Sequence, residues 1–163
     1  MMPSKLSSQL GKTTMAETRD EHGLRHLKSA YQVKQAVLYH KSTVVCLRFG
    51  NMADETTSML DHILGSIQPM LANHASIFAV DTDKVKDFND SFEIDEFLGP
   101  CVIFFYRENH IQVDIGSGDN TRVYLSDARS KQEWINIIER VATESSRGRG
   151  IANMAEFMMN VRA

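Results

Sequence analysis

The sequence predicts an α/β fold, a single mixed sheet with helices on both of its faces. Three observations predict it. Residues 44–49, 76–80 and 102–106 are short, almost uninterrupted apolar runs, the pattern of strands buried on both faces. Residues 59–71 and 134–142 instead repeat their apolar side chains at spacings of three and four, as amphipathic helices do. Residues 110–115 alternate apolar and polar directly after the polar turn Arg107-Glu108-Asn109, the signature of the half-exposed arm of a hairpin.

Taken in order, residues 1–23 are rich in Ser, Thr and mixed charge and read as a disordered extension. Glu17, Asp20 and Glu21 argue against a transit peptide, which is poor in acids. A short helix is expected over residues 30–38, with Val33, Ala36 and Val37 on one face. After the strand at 44–49, Gly50 to Thr57 leads into a helix striped by Met59, Leu60, Ile63, Leu64, Ile67, Met70 and Leu71. Pro69 bends or ends that helix near its last turn. A strand at 76–80 and a short helical segment at 85–91 follow. The run at 102–106 is apolar throughout and therefore central, and it pairs with 110–115. The last helix opens at Ser130, where Ser130 and Glu133 form a capping box, and its stripe is Trp134, Ile135, Ile138, Val141 and Ala142. Residues 24–143 thus make the domain. Residues 144–163 are a tail, basic and then Met-rich, in which Ile151, Met154, Phe157, Met158 and Val161 approximate a helical spacing.

A chain of 163 residues, 42% hydrophobic and 24% charged, suffices for one domain with a real core. Its net charge of −3 gives no overall basic footprint for nucleic acid. No stretch approaches the ~20 apolar residues of a membrane-spanning helix. Cys46 and Cys101 are the only cysteines, both inside apolar runs, which points to a reducing compartment. Two inert buried thiols are the first reading of them, and a pairing across adjacent strands is the alternative. The six histidines form no convincing ligand set, so no metal or other cofactor is expected.

The order of elements is the thioredoxin arrangement, and it locates a missing chemistry. A dithiol enzyme of this fold places Cys-x-x-Cys where the strand at 44–49 passes into its helix, because the helix N-terminus lowers a thiol pKa. Here those four positions are Asp54, Glu55, Thr56 and Thr57. None can form a disulfide, so binding is expected rather than redox catalysis, and no catalytic residue is assigned.

Several ordered blocks carry a more specific likeness: Val33 and Ala36, Arg48-Phe49-Gly50, Asp61, Val80-Asp81, Asp87-Phe88-Asn89, Pro100-Cys101 before Phe104-Phe105, His110-Ile111, Asp114 with Gly116 and Gly118, and Arg147-Gly148-Arg149-Gly150. Over residues 27–151 the chain resembles the DIM family, small thioredoxin-like proteins of the U5 small nuclear ribonucleoprotein. The resemblance implies mRNA processing in the nucleus: a scaffold of the spliceosome, acting in pre-mRNA splicing. The implied partners are the large proteins of the U5 particle and the tri-snRNP, with U5 RNA contacted mainly indirectly and the isolated chain monomeric. It also implies a cis bond at Pro100 and a groove beside Asp54 to Thr57 for an extended partner segment. The sequence departs from the family in having Ala53 where Trp is usual, Thr57 where Cys is usual, and a longer segment between Ser91 and Gly99.

Arg147 and Arg149 are candidate phosphate or partner contacts, since guanidinium groups bind phosphate in bidentate fashion. Residues 81–96 hold seven acidic residues against two lysines, a net −5, which reads as a solvated face or as a surface for a basic partner. Two rival functions stand beside the scaffold: a divergent thiol enzyme using Cys101 as a lone nucleophile, and a cytosolic thioredoxin-like adaptor.

Overall fold

The computed structural model describes residues 19–154. The elements are β1 (Arg25–Leu27), α1 (Ala30–Tyr39), β2 (Val44–Gly50), α2 (Glu55–Ile67), β3 (Ala75–Asp81), β4 (Cys101–Tyr106), β5 (Asn109–Asp114), β6 (Val123–Tyr124), α3 (Lys131–Ser146) and β7 (Ile151–Asn153). The strands form one sheet in the order β1-β3-β2-β4-β5-β7, with β6 also paired to β4. β1 and β2 run parallel to β3, β7 runs parallel to β5, and β4 is antiparallel to β2, β5 and β6.

Strand alternation divides the core. Cys46, Ile77 and Phe104 face Leu60, Leu64 and Ile67 of α2 and Trp134 and Ile138 of α3. Val45, Leu47, Phe49 and Ile103 face Val33 and Ala36 of α1. The expected layers, the central apolar strand and the hairpin are therefore all present. Ser29 caps α1 through Gln32 N–H, and Ser130 caps α3 through Glu133 N–H. α2 ends at Ile67, and Pro69 opens a 3-10 turn, Pro69–Leu71, as its locked φ and missing N–H require.

Four local expectations need correction. Residues 85–91 form consecutive turns rather than a helix. Asn89 N–H donates to Lys86 O, Ile94 N–H to Asn89 O, and the Asn89 side chain donates to Thr82 O, so side-chain bonding competes with helical pairing. Phe88 of this segment and Phe92 just after it cover the α1 face of the core. Met59 and Met70, placed in the buried stripe of α2, are exposed, whereas Thr57 and Asp61 are buried. Ile151 and Met154 do not begin a helix: Gly148 takes a positive φ of 81° and turns the chain back into β7 beside β5. The fourth correction is at Pro100 and belongs to the site.

At the other end, Asp20 accepts from His22 N–H and Leu24 N–H, folding residues 20–24 into a tight turn ahead of β1. The His22 carbonyl rests against Gly65 of α2, where a Cβ would overlap it. The expected positions Phe157, Met158 and Val161 lie outside the described residues, as does most of the N-terminal extension.

Candidate functional site

Parallel β2 delivers Gly50 to the C-terminal edge of the sheet, where the chain turns through residues 51–54 into α2. Asp54 is the N-cap residue of α2 but makes no side-chain cap bond, and Glu55 and Thr56 are exposed on the first turn. Thr57 points inward and is 1% exposed, with no hydrogen-bond partner for its hydroxyl among the described residues. A Cβ placed on Gly50 would lie 2.8 Å from Thr57 Oγ1 and 3.1 Å from Pro100 Cβ, so glycine permits these three residues to meet. Of the sequence-predicted site residues, Asp54, Glu55, Thr56, Thr57 and Pro100 therefore gather in one place.

Pro100 precedes β4 through a trans peptide bond, and among the described residues there is no cis bond. The cis geometry implied by the family resemblance is not adopted. Gly99, at φ 82° and ψ −170°, supplies the reversal instead, in a region reserved largely for glycine.

Arg147 and Arg149 lie apart from this site. The buried Glu144 carboxylate takes a 2.8 Å hydrogen bond from Arg149, with Arg147 and Arg140 at 3.6 and 3.9 Å. Both tail arginines are thus engaged in fixing the turn between α3 and β7. Arg147 also lines a cleft with Ser42 and His74 at the opposite end of the sheet.

The cysteines fall on opposite faces. Cys46 packs on the α2 side and Cys101 on the α1 side, and their register partners are Phe104 and Phe49 respectively. They are not bonded to each other, and adjacent strands cannot bring side chains on opposite faces together. Burial pushes the Cys101 thiol up to about 12 and raises the Cys46 thiol further. Neither is a nucleophile near neutral pH. We expect both thiols of the native chain to resist a thiol reagent at pH 8 and to react once denaturant unfolds it. A folded-state value raised above the ordinary one near 9 contributes stability below that pH and loses it on the way up to about 12. Thermal unfolding should therefore show a decline in stability through this alkaline window, shallower in Cys101→Ala.

Beneath the loop lies a pairing that the sequence analysis did not draw, although both residues belong to the blocks that carry the family likeness. Arg48 on β2 and Asp61 on α2 are both fully buried and form a two-pronged ion pair, Nε to Oδ1 at 2.6 Å and Nη2 to Oδ2 at 2.7 Å. The remaining guanidinium donor reaches the carbonyls of Gly50 and Val80 at 3.2 and 3.1 Å, and Nη2 also contacts Met52 Sδ at 3.2 Å. The pair thereby ties the loop to α2 and to the end of β3. The sequence did contain a signal: a charged residue within the apolar run of β2, and an aspartate adjoining the stripe of α2.

A groove of about 730 Å³ opens beside Glu55 and Thr56, lined by Met59, Ile63, Leu98, Pro100 and Leu125. Among solved structures, thioredoxin from Fasciola hepatica superimposes with a TM-score of 0.57 at 11% identity, covering 72% of this chain and 98% of that one. At that identity the likeness shows the fold, which is thioredoxin-like. The spliceosomal protein DIB1 of Eremothecium gossypii is 36% identical over 129 residues, 78% of this chain and 87% of the relative. The mitosis protein dim1 of Schizosaccharomyces pombe is 36% identical over 128 residues, with 78% and 88% covered. Human thioredoxin-like protein 4B is 32% identical over 126 residues, with 77% and 83% covered. The family model described as mitosis protein DIM1 matches residues 23–156, and with these relatives it makes the chain a member of the DIM1 family.

Proposed function

We propose that this chain is a non-catalytic component of the splicing machinery, held in the U5 particle and the tri-snRNP of the nucleus by large splicing proteins. The observation that carries this reading is the membership of a family whose relatives include spliceosomal proteins. The site supports the absence of thiol catalysis. Thr57 occupies the buried first-turn position of α2, and both cysteines are sequestered under side chains with raised pKa values. What the arrangement offers is a rigid surface: loop and groove are positioned by a buried ion pair and a central sheet. The remaining candidate nucleophile, Cys101, has no support from its environment.

Purification of the tagged chain from nuclear extract, with sequencing of the small RNAs and identification of the proteins recovered, tests this reading. Enrichment of U5 RNA together with large splicing proteins is the expected result. A soluble, folded chain that recovers neither would overturn it.

A further inference from the structure

The groove beside α2 is built to accept side chains and offers little for backbone pairing. Met59 and Leu98 on its lining are each 55% exposed, and the adjacent Phe97 is 100% exposed, three of the nine large apolar residues that the described surface leaves in water. Such clustering marks a surface that a partner covers. Strand addition along the Pro100 segment meets groups already in use. Gly99 N–H donates to Glu96 O at 3.1 Å, and Pro100 O accepts from Leu125 N–H at 3.2 Å. With these groups taken and no N–H on Pro100, the segment favours a ligand that fills the groove with side chains, as the apolar face of a helix does.

Nearby carboxylates add a charge requirement. Glu55 is on the lining and Asp54 precedes it in the chain, while Asp95 and Glu96 stand outside the lining, in the turn that carries Phe97 and Leu98. Among the described residues none of these four carboxylates takes part in an ion pair. Among the described residues Arg129 is the only Lys or Arg on the groove lining, where His22 and His62 also lie. We propose that the groove receives an amphipathic helix of a partner protein, with Leu, Met or Phe on its apolar face and Lys or Arg flanking that face. The charges would set orientation and on-rate while the apolar contacts hold the complex. This inference rests on the reading of the chain as a protein-held splicing component.

The test places the photo-crosslinker p-benzoylphenylalanine at position 97 of the full tagged chain in nuclear extract, then sequences the crosslinked peptide. The expected peptide comes from a splicing protein, repeats apolar residues at spacings of three and four, and has Lys or Arg beside them. Glu55→Lys combined with Glu96→Lys should lower the crosslink yield about tenfold. Crosslinks to RNA, to an acidic or extended segment, to residues 155–163 of the chain or to a second copy would overturn the proposal. So would no crosslink, or a yield unaffected by charge reversal. Splicing RNAs recovered before irradiation separate the two failures. If they are present, only the groove assignment falls; if they are absent, the functional reading falls and takes the partner with it.

Discussion

Replacing Arg48 by methionine, or Asp61 by alanine, is expected to cost about 3–5 kcal/mol of folding stability, because either change strands a charge in the core. The pair is fully buried and bidentate, and Arg48 also satisfies the carbonyls of Gly50 and Val80. The double variant Arg48→Met/Asp61→Leu should lose far less than the sum of the single changes, since two apolar side chains leave no unpaired charge. Urea unfolding of the three variants measures this. Equal losses in the single and double variants would mean that packing at these positions, not charge pairing, holds β2 to α2. The Gly50 carbonyl belongs to the loop, so the single variants should also loosen residues 50–54, visible as faster amide exchange there.

Trp134→Ala is expected to be comparably severe, about 3–5 kcal/mol, the usual range for truncating a buried aromatic. Trp134 is fully buried between α3 and the sheet, and its indole N–H donates to Ala128 O at 2.6 Å. That bond secures residues 125–129, from which Leu125 and Arg129 reach the groove. Trp134→Phe separates the two contributions. It keeps most of the apolar packing and leaves the Ala128 carbonyl without its donor, a cost of about 1–3 kcal/mol. Denaturant midpoints of the two variants should therefore differ clearly, with the alanine change the worse.

These two side chains also show how far the sequence could be read. Trp134 was legible because helical spacing from a capped start at Ser130 placed it on the inner face, where it lies. The strands at 44–50, 75–81 and 101–106 were legible because burial on both faces leaves no alternation to misread. β1, β6 and β7 were not. Each is two or three residues long, and its pairing depends on a distant partner rather than on a local pattern. The turns over 85–91 were missed because Phe88 and Phe92 sit four apart, like a helix stripe, while Asn89 and the neighbouring acids favour local bonding. At the site, the loss of the dithiol was plain from Asp54 to Thr57. The Arg48–Asp61 pair was not, because the two residues stood out only as separate parts of the family likeness and no local pattern links a strand residue to a partner 13 positions further on. Arg147 and Arg149 looked available for phosphate because nothing in the sequence says that Glu144, on the inner side of α3, needs them.

The central claim is that the chain serves splicing without thiol chemistry, as a fold retained for its surface. Nuclear extract depleted of the protein, then supplied with the wild-type chain or with Cys46→Ala/Cys101→Ala, tests it most directly through the yield of spliced RNA. Circular dichroism first establishes that the variant is folded at the assay temperature. The account predicts that both chains restore splicing to the same extent. A folded thiol-free chain that fails to restore splicing would contradict it.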